Sequence, residues 1–287
     1  MPNKFVFVAD YFLNKYLGGA ELSTQALIDS CPGEVIELNA GEIEEKDVEA
    51  HRDAHWIFTN VWLMKFGMIP WMVKTIKSYS IVEYDFKYCA YRSPDTHMLA
   101  EGIECNCRNP MLDIYYGNAD NVFFMSQRQM DWHTERIPKI GNPQVLSSIF
   151  TPNTLIKLSD LAHNRKEKDS WAIIFSAAGG KGFSQAVEYA ERNKKNYYIL
   201  KGLSYDDLLT QLSQCEGLIY KPICGDTCPR AVIEAFLMGL KLDLNYFVMH
   251  KDEEWFRERA LAWNYLSSNK SRFWMHVCRI KAEALNA

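Results

Sequence analysis

Short apolar runs alternate with longer amphipathic ones along nearly all of this 287-residue chain. The strand-like runs fall at 4–9, 34–38, 55–59, 80–84, 121–125, 171–176, 196–201, 217–220 and 241–245. The helix-like runs fall at 20–30, 66–78, 110–117, 126–135, 182–193, 205–214, 229–239, 252–268 and 270–285. Strands buried on both faces read as continuous apolar runs, and helical crossovers between them make the strands parallel. The pattern predicts an α/β protein with doubly wound parallel sheets. With 48% hydrophobic and 24% charged residues, the chain can bury a core of that kind.

The character changes between Pro143 and Asp169, where Pro152, Asn153 and the charged run Arg165-Lys166-Glu167-Lys168-Asp169 interrupt the alternation. This stretch reads as an interdomain link with a short helix near Leu155–Ala162. The predicted division is 1–147 for one domain, 148–268 for a second and 269–287 for a terminal helix. Domains of about 100–150 residues are typical, so the length fits two.

Three junctions between strand and helix carry the chemistry. The first is Cys228-Pro229-Arg230-Ala231-Val232-Ile233-Glu234, which follows the strand 217–220 and the turn-prone segment Lys221–Asp226. A helix starting near Pro229 points unpaired N–H groups into the preceding loop, and its dipole favours an anion there. Arg230 adds a fixed fork of donors suited to phosphate oxygens. Glu234, a turn further on, offers a carboxylate to ribose hydroxyls. An ordinary amphipathic helix with a surface acid fits the same residues. The second junction is Leu17-Gly18-Gly19-Ala20-Glu21, between the strand 4–9 and the first helix. Glycines here let the backbone approach a phosphate or sugar. The third is Phe175-Ser176-Ala177-Ala178-Gly179-Gly180-Lys181-Gly182, after the strand 171–176. It lacks the Gly-x4-Gly-Lys-Ser/Thr spacing of a P-loop, which makes an ATPase of that class a poor reading.

Taken along the chain, the three junctions resemble those of GT-B glycosyltransferases, most closely retaining glycosyltransferase family 4, including members from bacteriophages. Asp226 and Glu234, with seven residues between them, resemble that family's Glu-x7-Glu signature, with Asp in place of the first Glu. The resemblance implies two Rossmann-like domains facing across a cleft, with the last helix crossing back to the first domain. It implies a UDP- or GDP-linked sugar as donor, an acceptor hydroxyl, retention at the anomeric carbon, and no metal or other cofactor. Asp226 then positions the sugar, Lys181 and Arg230 meet the diphosphate, and Glu234 holds the ribose. Gly18, Gly19, Gly180, Gly202, Leu203 and Thr227 complete the donor-binding set. The family's Arg before the phosphate-loop Lys falls near Ser176, and Arg230 is the candidate to replace it.

Ile81-Val82-Glu83-Tyr84-Asp85-Phe86-Lys87-Tyr88-Cys89-Ala90-Tyr91-Arg92-Ser93-Pro94 resembles a Glu-His-Asp-His-Lys-Tyr pattern of some of these transferases, with Tyr84 and Phe86 at the histidine positions. It implies an acceptor side formed by Glu83, Asp85, Lys87 and Arg92, with Ser126 added from the segment 118–126. A salt-bridged turn accounts for the first group equally, and a helix N-cap accounts for Ser126. Ser204, before the helix 205–214, also reads as an N-cap.

A net charge of −4 argues against a generally basic nucleic-acid binder. The final helix nevertheless carries Lys270, Arg272, His276, Arg279 and Lys281, a candidate for weak contact with phosphate groups. Cys105 with Cys107, and Cys224 with Cys228, match no common zinc spacing, so no metal is expected. There is no long apolar run and no signal-like start. Eight cysteines in a chain of this length fit a reducing cytoplasm, bacterial or phage-infected. The expected activity is glycosyl transfer to a glycan, small molecule or modified DNA base. The competing reading is a non-catalytic GT-B scaffold that binds a sugar nucleotide.

Overall fold

The structure is a computed structural model that describes residues 3–165 and 168–279. Contacts divide the chain into two units. One takes in the chain up to Ala90, Asn106–Phe150 and the chain from Ser268; the other takes in Tyr91–Cys105 and Thr151–Ser267.

The first unit is built on a six-stranded, all-parallel sheet. Its strands are β1 (Lys4–Ala9), β2 (Glu34–Asn39), β3 (His55–Phe58), β4 (Ser78–Glu83), β5 (Asn121–Phe124) and β6 (Pro143–Val145), in the order β2-β1-β3-β4-β5-β6. Five helices of this unit connect them: α1 (Gly19–Ile28), α2 (Glu45–Ala50), α3 (Ile69–Thr75), α5 (Pro110–Gly117) and α6 (Gln127–Thr134); α4 (Pro94–Glu101) lies in the excursion assigned to the second unit. The apolar runs behave as both-face-buried strands should: Phe5, Val6, Phe7 and Val8 are fully buried, as are Trp56, Ile57 and Phe58. Each such side chain contributes roughly 1.5–3 kcal/mol on leaving water.

The second unit has a four-stranded parallel sheet of β7 (Lys168–Ile174), β8 (Tyr197–Leu200), β9 (Cys215–Tyr220) and β10 (Lys241–Leu244), ordered β10-β9-β7-β8. Its helices are α7 (Pro152–His163), α8 (Phe183–Arg192), α9 (Tyr205–Ser213) and α10 (Arg230–Leu237), and α11 (Arg259–Cys278) begins in this unit and ends in the first. Ile173, Ala186, Ala190 and Ile219 form a small core between sheet and helix α8. In this sheet the strand order reverses between β7 and β9, and in the first sheet between β1 and β3. Loops leaving the C-terminal ends of strands on either side of such a reversal diverge and open a crevice.

Four elements depart from the sequence expectation. Residues 143–145, read as link, are a strand; it lies at the sheet edge, where the N–H missing from Pro143 leaves no gap in the ladder. Helices α2 and α4 do not figure in the sequence expectation; α2, of six residues, is too brief to show an apolar period, and α4 is polar along most of its length. Helices expected at 252–268 and 270–285 are a single helix from Arg259 through Asn269 to Cys278. Asn269 looks like a break but is fully buried, and its Nδ2 donates to Leu146 O at 2.5 Å and Ser148 O at 3.3 Å. The part of the expected helix beyond Arg279, Lys281 included, lies outside the described residues.

Candidate active site

At the strand-order reversal of the second unit, two loops meet. The loop after β7 carries Gly179, Gly180, Lys181 and Gly182; the loop after β9 carries Lys221 to Pro229. They are held together by Ile223 N donating to Gly180 O at 3.1 Å and by Cys224 Sγ against the same carbonyl at 3.7 Å. Gly182 has a φ of 68°, and a Cβ there would lie 1.7 Å from Lys221 O. No other residue permits that approach. The sequence Gly-Gly-Lys-Gly is therefore a docking surface for the neighbouring loop, and it leaves Lys181 at the rim with its side chain 46% exposed.

Lys181 Nζ donates to Asp226 Oδ2 at 2.7 Å, and Tyr220 OH, at the end of β9, donates to the same oxygen at 2.5 Å. Burial, then the Asp226 charge, pushes the Tyr220 hydroxyl well above its ordinary pKa, so it serves as a donor. The Asp226 backbone is fixed as well: its N–H donates to Phe247 O at 2.8 Å and its carbonyl accepts from Met249 N at 3.0 Å. The preceding Gly225 N donates to Asp95 Oδ2 at 2.7 Å.

Helix α10 begins after Pro229, as its N-cap, and places Arg230 and Glu234 one turn apart. Arg230 Nε donates to Glu234 Oε1 at 2.8 Å, and Tyr205 OH donates to the same oxygen at 2.5 Å. Both side chains of the pair are buried, at 6% and 2% exposure. Burial raises the Glu234 carboxyl above the usual range, and the Arg230 charge opposes that rise. Thr227 is buried as well. Gly202, in left-handed conformation, and Leu203 lead into the Ser204 cap of α9, where Asp207 N donates to Ser204 Oγ at 3.1 Å. Ser176 Oγ accepts from Ala178 N at 3.2 Å, so a turn occupies the place where the resembling family has Arg.

In the first unit, Gly18 is the N-cap of α1, and a Cβ on it would meet Glu21 Oε2 at 2.4 Å. The loop after β4 is organised differently from expectation. Glu83 and Lys87 were candidates to line an acceptor, but their side chains are wholly buried and pair with each other at 2.7 Å. Tyr116 OH donates to the other Glu83 oxygen, and Asp85 N donates to Glu83 Oε1 at 3.1 Å. Gln129 Nε2 donates to the carbonyls of Glu83 and Asp85 at 3.1 and 2.8 Å. These residues shape the loop and do not present themselves to solvent. Asp85 is partly buried, and Ser126 is a fully buried N-cap for α6 that accepts from Gln129 N at 3.3 Å. Arg92, at a φ of 58°, falls in the second unit, apart from Glu83, Asp85 and Lys87 in the contact division. Of the basic residues expected on the last helix, Arg272 Nη2 donates to Val145 O at 3.1 Å, and Arg279, just past α11, pairs with Asp120 at 2.9 Å.

Sequence reading missed Tyr205, Tyr220 and Asp95, which hold Glu234, Asp226 and Gly225. Tyr220 ends a strand beside the site, and Tyr205 opens the helix after a candidate donor loop; both positions were signals. Asp95 lies more than a hundred positions from its partner and had none. By spacing, Cys105 with Cys107 and Cys224 with Cys228 match no metal pattern, but in the structure Cys105 and Cys107 lie with Cys89 and His97.

No protein-family model and no curated relative matches the chain by sequence. Solved structures do match by shape. The chain superposes on an alpha-glucosyltransferase in complex with UDP at a TM-score of 0.51, with 11% identity and 96% of each chain covered. It superposes on HepE of Anabaena in complex with UDP and glucose at 0.54, with 12% identity and 99% of each covered. Sucrose-phosphate synthase of Thermosynechococcus elongatus gives 0.57, with 8% identity, 97% of this chain and 94% of that one. The fold is GT-B. Both sheets of the GT-B architecture are present, and no helix among the described residues is long and apolar enough to cross a membrane.

Proposed function

We propose that this chain is a metal-independent, retaining glycosyltransferase that moves a sugar from a nucleoside diphosphate sugar to an acceptor hydroxyl. The observation that carries the reading is the meeting of the two loops at the β7/β9 reversal. It brings a rim lysine, Lys181, onto a loop acid, Asp226, at the entry to helix α10, whose Arg230 and Glu234 form a buried group with Tyr205 of α9. In a GT-B protein this is the place for a nucleotide sugar.

Transfer breaks the bond between the anomeric carbon and the diphosphate oxygen and forms one to the acceptor oxygen. The acceptor proton leaves with the diphosphate, and retention follows if both bonds lie on one face of the sugar. Charge grows on the leaving diphosphate, so fixed donors aimed at it accelerate the step. Lys181 and the N-terminal amides of α10 are those donors. A diphosphate competes with Asp226 for the Lys181 ammonium, which frees the carboxylate for sugar hydroxyls. Glu234, held in one orientation by Arg230 and Tyr205, faces the ribose.

The experiment compares turnover of UDP- and GDP-sugars with binding of the bare diphosphate. Asp226→Asn should lower transfer by at least tenfold and leave diphosphate affinity nearly unchanged, with the parental rate unaffected by EDTA in the assay. Parental transfer by the Asp226 variant, or loss of transfer to EDTA with recovery on manganese, overturns the assignment. Tight donor binding by the parent without transfer or hydrolysis supports the scaffold reading instead.

One observation favours a particular acceptor. The chain also superposes, at a TM-score of 0.52, on an alpha-glucosyltransferase in complex with UDP and a 13-mer DNA containing an HMU base. A modified DNA base is the second reading. Affinity for such a duplex should then fall steeply with salt, because phosphate contacts release counterions.

A further inference from the structure

A single stretch of chain, Cys89 to Cys107, gathers four soft donors at one point. One ligand atom each from Cys89, His97, Cys105 and Cys107 lies within 4.8 Å of the others. Cys89, His97 and Cys105 are buried and Cys107 is half-buried. None of the eight cysteines is in a disulfide. Residues 104–109 form neither helix nor strand, yet Cys105 is 7% exposed while Ile103, two positions earlier, is 56% exposed. The isoleucine is turned out while the Cys105 thiol is turned in.

The local structure positions each donor. Cys89 sits in a turn closed by its N–H on Phe86 O at 2.9 Å. His97 lies on α4, which Ser93 caps, Pro94 opens and left-handed Gly102 ends. The Tyr91 ring stands edge-on to the His97 imidazole at 5.3 Å, and its hydroxyl donates to Glu101.

We propose that Cys89, His97, Cys105 and Cys107 bind one Zn2+ in a closed structural site. Around a tetrahedral zinc with bonds of about 2.3 Å to sulfur and 2.0–2.1 Å to nitrogen, donor atoms stand roughly 3.5–3.8 Å apart. The cluster reaches that geometry by contracting about 1 Å at its widest. Three thiols lose their protons to solvent, the neutral imidazole binds through a lone pair, and no electron is transferred. Thiolate and imidazole donors select zinc over magnesium or manganese. Four protein ligands leave no open position, so the ion takes no part in transfer. Its effect on the site runs through α4, which carries Asp95 and hence the hydrogen bond to Gly225 N beside Asp226.

The test is metal content of the full-length chain purified without chelator from zinc-supplemented medium. One zinc per chain is expected, released when a mercurial blocks the thiols. Cobalt exchanged into the site should show the visible bands of a tetrahedral thiolate centre. Cys105→Ser and Cys107→Ser should each lower zinc content at least fivefold and depress Tm, whereas Cys31→Ser keeps both. Less than 0.1 zinc per parental chain overturns the proposal, as does undiminished zinc in the Cys105/Cys107 double variant. Because the parental protein supplies the zinc and cobalt readouts, misfolding of a variant does not remove the test. Neither readout depends on transfer, so this proposal and the glycosyltransferase reading fail separately.

Discussion

Two lysine–carboxylate pairs in this molecule have the same length and opposite settings. In the first unit, Lys87 meets Glu83 at 2.7 Å with both side chains fully buried. In the second, Lys181 meets Asp226 at 2.7 Å with the lysine 46% exposed. The first pair is enclosed by Tyr116, Asp85 N and the Gln129 network, so neither charge can leave without stranding the other. The second pair is open on one side: water can take over the exposed lysine, while Asp226, 11% exposed, keeps the Tyr220 hydroxyl as a donor. Equal distance therefore does not mean equal role: the enclosed pair fixes a loop, and the open pair can exchange one partner for a ligand.

The sharpest way to break this comparison is to remove one lysine at a time. Lys87→Met leaves a buried, uncompensated Glu83 and should cost about 3–5 kcal/mol in urea denaturation. Lys181→Met should cost less than about 1 kcal/mol. Equal losses would show that the pairs do not differ as their exposure indicates.

Ligand binding should reverse the ranking. Lys181→Ala should weaken nucleoside diphosphate binding by about 1.5–3 kcal/mol, the range of a charge-assisted hydrogen bond, with folding stability nearly unchanged. Arg230→Ala should weaken binding and destabilise the fold together, since it strands the buried Glu234. Calorimetry on both, beside their melting curves, checks the contrast; unchanged affinity in both variants removes the donor site from this place.

Near neutral pH the smallest effect is that of protonation, which sets His133 of the first unit beside His250 of the second. Burial holds each to a pKa of about 3. Between pH 6.5 and 3 the unfolded chain then binds protons that the folded chain does not, so stability is present above 6.5 and is lost as pH falls. Each group contributes a slope of up to about 1.4 kcal/mol per pH unit. His133→Phe should flatten the stability–pH curve by one proton in that window. An unchanged slope means that His133 accepts a proton in the folded state.

The sheets were legible because their strands are buried on both faces, and such strands write continuous apolar runs into the sequence. The loop residues Asp226, Lys181, Arg230 and Glu234 were legible from their place at strand-to-helix junctions. What the sequence could not carry is partnership over distance. Nothing near Glu83 and Lys87 says that Tyr116 and Gln129 close over them, so a charged, aromatic string looked like a surface. Asn269 looked like a helix break because its partners, the carbonyls of Leu146 and Ser148, lie on another element. Cys89 and His97 stood too far from Cys105 for any familiar ligand spacing.

The edge strand β6 has a consequence beyond topology. A sheet's outermost strand offers unpaired amides to any passing chain, and long flat edges recruit foreign strands. Here that border is three residues long and opens with Pro143, which has no N–H to offer. At the opposite border, β2 carries Glu34, exposed, and Glu37, also exposed. One border is short and lacks an amide at its first position, and the other carries two exposed carboxylates, both features that disfavour pairing with a second chain.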